Sequence, residues 1–130
     1  MIVVDSSAWI EFLRDTGSAA CEAVDRLLAG DGLVICDPIR MEVLAGARDE
    51  RHLRELRGLL GRAQMAPVHP PDYEAASALY RHCRREGRTV RRLIDCLIGA
   101  VAIRLDAPVL HADRDFDVLA DCTTLTVYRP

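Results

Sequence analysis

The chain contains no lysine: all 17 of its basic residues are arginine. A phosphoacceptor receiver domain, with its acidic pocket, needs a lysine after a late strand, so it is excluded. A haloacid-dehalogenase-type phosphatase also needs a lysine, and an Asp-x-Asp after its first strand; position 7 here is Ser7. No Cys-x-x-Cys occurs. The five cysteines, Cys21, Cys36, Cys83, Cys96 and Cys122, are scattered and odd in number, which argues against a disulfide framework and a cysteine zinc site. They read as small buried hydrophobes in a reducing cytosol. His52, His69, His82 and His111 are dispersed, with no pair at helical ligand spacing, which argues against a histidine zinc centre too. There is no apolar run long enough to span a membrane and no basic segment ahead of the first apolar residues. The expectation is one cytoplasmic domain covering residues 1–130. A net charge of -3 and a pI near 5.8 give no overall bias toward a polyanion.

What is present is alternation. The run 1–4 is short, apolar and rich in β-branched residues, and it stops at Asp5-Ser6-Ser7, as a buried strand would. Ser6 or Ser7 caps a helix through Trp9 and Phe12, whose i, i+3 spacing marks core or dimer contacts. Ser18 caps a second helix that Gly30 stops. Residues 33–36 form another strand, and Asp37-Pro38 opens a helix, with Asp as the cap and Pro at the first position. Asp49 caps a helix with a leucine stripe, and the helices of 38–61 are expected to make a small projection. Residues 65–68 read as an edge strand, where Pro67 is tolerated. Helices follow over about 73–86 and 90–105, then a strand over 108–112 that ends at Asp113, and a last strand over 125–128. Alternating strands and helices predict a mostly parallel central sheet with helices on both faces, a three-layer α/β sandwich.

Of the 20 acids, those just past strand ends or inside apolar runs stand out. Asp5 follows the first strand, where open α/β sheets bind their ligands; taken alone it could equally be a helix cap. Glu42 lies one turn into the helix opened by Asp37-Pro38. Asp95 is the sharpest signal, because nothing else in 93–103 carries a charge at neutral pH, and a carboxylate rarely enters such a run unless paired or metal-bound. Its competing reading is a first-turn acid facing the helix dipole. Asp113 and Asp115 come directly after the strand 108–112, with Asp117 as a candidate helix cap. Carboxylates gathered within a few ångströms repel unless a cation is present. Hard oxygen ligands suit Mg²⁺ or Mn²⁺, which can activate a water and stabilise charge on a phosphodiester.

These stretches together resemble a PIN-domain ribonuclease of the VapC toxin type. The resemblance rests on Asp5-Ser6-Ser7 after a strand, on Pro38-Ile39-Arg40-Met41-Glu42, on Leu93-Ile94-Asp95-Cys96, and on Asp113-Arg114-Asp115-Phe116, in that order over nearly the whole chain. It implies that Asp5, Glu42, Asp95 and Asp113 occupy the metal positions, with Asp115 as an accessory catalytic acid and Ser7 as the small polar residue beside the first Asp. Gly99 departs from the alanine common in that family. The resemblance further implies Mg²⁺- or Mn²⁺-dependent cleavage of cellular RNA such as tRNA or rRNA, and a homodimer. It also implies a VapB-type antitoxin that blocks the site and binds operator DNA with the toxin. The alternative is a catalytically inactive PIN-like module that binds RNA or antitoxin; the retained acids argue against it.

Arg81, Arg84, Arg85, Arg88, Arg91 and Arg92 crowd the stretch that ends just before Asp95. Beside an acidic cup such a strip suits an RNA backbone, with Arg85, Arg88, Arg91 and Arg92 as candidate phosphate contacts. A solvated helix face paired with surface acids fits the same pattern.

Overall fold

Val3 and Val4 are almost wholly buried at the centre of the molecule, and the rest of the sheet is built outward from them. The computed structural model describes residues 1–130. The strands are β1 (Ile2–Val4), β2 (Leu33–Cys36), β3 (Gln64–Ala66) and β4 (Val109–Leu110). They form one all-parallel sheet in the order β3-β2-β1-β4. Val3 pairs with Val34 on one side and Val109 on the other. All residues of β2 are buried, so both of its faces are covered, as an all-parallel sheet requires.

The helices are α1 (Ser6–Leu13), α2 (Ala19–Ala29), α3 (Asp37–Ala45), α4 (Glu50–Leu60), α5 (Pro70–Arg85), α6 (Leu93–Arg104) and α7 (Arg114–Cys122). Local signals set most of their ends. The Ser18 side chain accepts the Cys21 N–H, Asp49 accepts that of His52, and Gly30 caps α2. Cys36 rather than Asp37 occupies the N-cap of α3, so Asp37 is its first helical residue, followed by Pro38. Ile39, Val43, Leu56 and Leu60 belong to the same apolar cluster of 30 residues as the sheet. The helix pair α3–α4 is therefore docked on the body and does not stand free of it. Trp9 is completely buried, donates its indole N–H to the Val4 carbonyl at 3.1 Å, and meets Phe12 edge-on at 6.4 Å. All five cysteines are free thiols.

Three elements differ from the sequence expectation. The long helix begins at Leu93, not near 90. Val90 is buried, the Arg91 N–H meets the Asp115 carboxylate at 3.3 Å, and Arg92 is still extended (φ -119°, ψ 114°), so the chain turns helical only after it. Residues after Asp113 form α7, anchored by Phe116 and Leu119 in the core. The segment 125–128 makes only a single parallel bridge, Val127 to Val109, because β4 is two residues long and offers no further ladder. Gly99 has a packing reason: a Cβ there would lie 3.4 Å from the Leu119 side chain of α7.

The strand order determines where a site can form. From β1 the chain moves out to β2 and β3, then returns to place β4 on the other side of β1. Crossovers leave β1 and β4 in opposite directions, and the crevice past their carboxyl ends is where such sheets bind ligands. Asp5 lies at the end of β1, and Asp113 lies just past the end of β4.

Candidate active site

Asp5 is the N-cap of α1 and is buried. Its Oδ2 accepts the Ser7 N–H at 3.0 Å and the Ser7 hydroxyl at 2.6 Å, which leaves Oδ1 with no partner. Ser7 Oγ in turn accepts the Ala112 N–H at 2.9 Å, tying the ends of β1 and β4 together across the crevice. The neighbouring Ser6 hydroxyl donates to Glu42 Oε1 on α3 at 3.0 Å. Burial raises the Asp5 pKa; the nearby Glu42 adds to this, and the hydrogen bonds from Ser7 and Ser6 only partly offset it.

Asp95, in the first turn of α6, is buried with both oxygens unpartnered. Such a group is rare in a folded protein and calls for a physical reason. Oxygens of Asp95, Asp113 and Asp115 all lie within 4.8 Å of one another. Burial above all, and then the charges of Asp5 and Asp113, push the Asp95 pKa up to about 8, against a smaller opposing pull from Arg92. Asp113 is the N-cap of α7, and its Oδ1 accepts the Asp115 N–H at 3.0 Å. Its own N–H donates to His111 Nδ1 at 3.0 Å, which fixes the turn out of β4. Asp115 is buried and has one orphan oxygen, Oδ2. Burial would raise its pKa, but hydrogen bonds and charge from Arg91 outweigh burial and hold it below the usual value.

Two arginines complete the arrangement. Arg91 reaches Asp113 at 2.9 Å and Asp115 at 3.1 Å. Arg92 pairs with Glu42 and lies 3.8 Å from Asp113. The structure thus brings Asp95, Asp113 and Asp115 within ligand distance of one another. Asp5 and Glu42 adjoin them, linked through Ser6, Ser7 and Arg92. Of the basic strip, Arg88 is paired with Asp121 at 3.3 Å, while Arg81, Arg84 and Arg85 alone line a surface hollow of about 350 Å³. None of those three makes an ion pair with an acid, and Arg84 lies over the Tyr80 ring at 5.7 Å. Sequence reasoning missed Ser6 and His111. Ser6 carried a signal in Asp5-Ser6-Ser7; His111 carried none, because its role depends on the turn between β4 and α7.

Residues 2–121 match the family described as PIN domain. The chain belongs to that family. Two relatives, Ribonuclease VapC11 of Mycobacterium tuberculosis (strain ATCC 25618 / H37Rv) and VapC ribonuclease Mb1587 of Mycobacterium bovis, are each 44% identical to it over 128 residues. Each alignment covers 96% of this chain and 96% of the relative. This PIN domain is therefore one of the VapC ribonucleases. Among solved structures, VapBC2 from Rickettsia felis, bound to a DNA fragment from its promoter, matches with a TM-score of 0.78 at 15% identity, covering 98% of both chains. Mycobacterium tuberculosis VapC20, described as a sarcin-ricin-loop-cleaving toxin, matches with a TM-score of 0.69 at 21% identity over all of both chains. At those identities the PIN fold is what is shared.

Hard carboxylate oxygens, several of them buried and without partners, form a donor set suited to a small divalent cation and unsuited to a soft one. No helix is long and apolar enough to cross a membrane.

Proposed function

We propose that the protein is a Mg²⁺- or Mn²⁺-dependent endoribonuclease toxin in which Asp5, Glu42, Asp95 and Asp113 hold the dication and Asp115 assists. The observation that carries this reading is Asp95, which has two buried carboxylate oxygens and no partner for either. When bound, the dication would supply Lewis-acid chemistry, making water nucleophilic at neutral pH and offsetting charge on the attacked phosphate. The side chains have distinct tasks in that scheme. Ser7 engages Oδ2 of Asp5 and leaves Oδ1 free for the cup. Ser6 orients Glu42, and His111 holds the backbone of Asp113. The free oxygen of Asp115 can accept a proton or orient a water.

The substrate is RNA, as the names of the 44%-identical relatives support, with tRNA or rRNA as the expected class. Arg81, Arg84 and Arg85, which have no acidic partners, supply a surface for the phosphate backbone. Arg88, Arg91 and Arg92, the other members of the strip, are already engaged with acids. The protein pairs with a VapB-type antitoxin that covers the site, forms a homodimer, and binds operator DNA as the toxin–antitoxin complex. The neighbouring VapBC and FitAB structures, some of them bound to DNA, support that assembly.

The test is end-mapping of RNA fragments after induced expression in cells, comparing the wild type with Asp5→Ala. New 5′ ends at defined positions, present only with the wild type, are expected. Identical RNA profiles would leave a binding module in place of an enzyme.

A further inference from the structure

Arg91 and Arg92 occupy the segment just ahead of α6, and both reach back into the acid cup. The cup's oxygens therefore fall into two groups. Glu42 Oε2, Asp113 Oδ1 and Asp115 Oδ1 are held by guanidinium groups. Asp5 Oδ1, both oxygens of Asp95 and Asp115 Oδ2 have no partner. The acids and the arginines also differ in freedom. The side chains of Glu42, Asp113 and Asp115 are 16%, 13% and 2% exposed, while Arg91 and Arg92 are 50% and 47% exposed. The carboxylates are fixed by the fold, and the guanidinium groups can leave for solvent by side-chain rotation alone. The main chain need not move with them, because the Arg91 N–H has its own contact to Asp115.

We infer, building on the metal-site reading above, that Arg91 and Arg92 are resident counter-cations that compete with the dication for these acids and, once displaced, turn to the phosphates of the bound RNA. A small dication and a guanidinium cannot share one carboxylate oxygen cheaply. Asp113 Oδ1 already accepts two donors, from Asp115 and Arg91, and like charges a few ångströms apart repel. Without a dication the arginines offset the mutual repulsion of the acids. With one bound they are surplus positive charge at the rim of the cup, and the nearest anion that fits a planar fork of donors is a phosphodiester. Coupling of this kind is reciprocal: the dication weakens the Arg–acid pairs by the same factor as the pairs weaken dication binding.

Two measurements test it. The first is calorimetric titration with Mn²⁺ of the wild type, Arg91→Gln, Arg92→Gln and, as a control, Arg81→Gln. Arg91→Gln and Arg92→Gln should each bind Mn²⁺ more tightly, by roughly tenfold, and Arg81→Gln should match the wild type. Unchanged or weaker Mn²⁺ binding in both substituted proteins overturns the inference. Loss of a counter-cation can weaken the metal-free fold, so Arg92→Lys, which keeps the charge, is included; its affinity should lie between those of the wild type and Arg92→Gln. If the wild type and every variant fail to take up Mn²⁺, the metal-site reading itself falls. If the wild type binds Mn²⁺ without any tightening in the variants, only the present inference falls. The second measurement is binding of a single-stranded DNA oligonucleotide, used as a phosphate-backbone probe. Joint substitution of Arg91 and Arg92 by Gln should cost more affinity with Mn²⁺ than without it. An equal loss in both conditions refutes the transfer to phosphate.

Discussion

Two buried aspartates in this molecule lie under opposite conditions. Asp72, near the start of α5, accepts from the Arg104 guanidinium at 2.9 and 3.1 Å and from the His69 N–H at 2.8 Å. Arg104 also holds the Pro67 carbonyl at 2.8 Å, so this one ion pair ties the end of α6 to the loop ahead of α5. Despite burial, the arginine and the backbone N–H hold the Asp72 carboxyl below its usual pKa. Asp95 is on the same α6, at its other end, and is at least as buried, yet no arginine or backbone N–H bonds to its carboxylate and its pKa rises to about 8. A carboxylate with its partners supplied by the fold stabilises the fold. One that the fold surrounds with other acids and leaves bare is costly to the apo protein, and such sites mark where a ligand is expected. On the proposed reading, the difference separates a structural acid from a candidate ligand more clearly than burial or charge does.

The largest effect is expected at Asp95. Asp95→Asn should lower RNA cleavage by roughly a thousandfold or more, on the scale of losing a group that the catalytic unit needs. Without metal at neutral pH its melting temperature should stay near that of the wild type, because Asp95 already carries a proton there. Cleavage assays with Mn²⁺ and thermal unfolding without it check both halves. Near-normal cleavage would reduce Asp95 to a first-turn acid.

Asp72→Ala should do the reverse. Breaking a buried pair strands its partner, but Arg104 is one-third exposed, so the loss should be about 2 kcal/mol, below the range for fully buried pairs. Cleavage per folded molecule should be unchanged. Denaturant unfolding combined with active-fraction measurement decides it.

The pH dependence sharpens the contrast further. Asp95 has a higher pKa in the folded chain, about 8, than its ordinary value of 3.8, so the folded state binds more protons between those limits. Metal-free stability from this group is full below 3.8 and falls as pH rises toward 8. Asp72, with its pKa lowered, contributes stability above 3.8 that is lost on acidification. Thermal scans across the range from acid to mildly alkaline pH without metal should therefore show a decline toward alkaline pH that Asp95→Asn flattens and Asp72→Ala leaves in place.

The smallest expected effect concerns the partnerless cations. Joint substitution of Arg81, Arg84 and Arg85 by Ala should weaken RNA binding and reduce the slope of log affinity against log salt by roughly one for every phosphate that no longer meets an arginine. Stability should barely change. An unaltered slope would show that the RNA backbone runs elsewhere on the surface.

Much of the site was legible because its acids sit at places that local rules mark. Asp5 ends a β-branched run, Asp95 is the lone charge in the apolar run 93–103, and Asp113 follows a strand. What stayed hidden involved partners distant in the chain. Nothing around Arg91 and Arg92 distinguishes them from Arg84 and Arg85, yet the first two turn inward to acids and the last two face solvent. The helix after Asp113 reads locally as a turn with a cap at Asp117, because Phe116 and Leu119 acquire their meaning only against the core.

The amino-acid order alone determined the alternation of strands and helices, the caps at Ser18 and Asp49, and which carboxylates end strands, since these follow from periodicity and from hydrogen bonds within a few residues. Only the tertiary structure placed β4 beside β1, set Asp113 across from Asp5, started α6 at Leu93, and chose which arginines neutralise the cup. Those outcomes depend on strand order and on burial against residues far away in the chain, where pairing is selected by the packed whole.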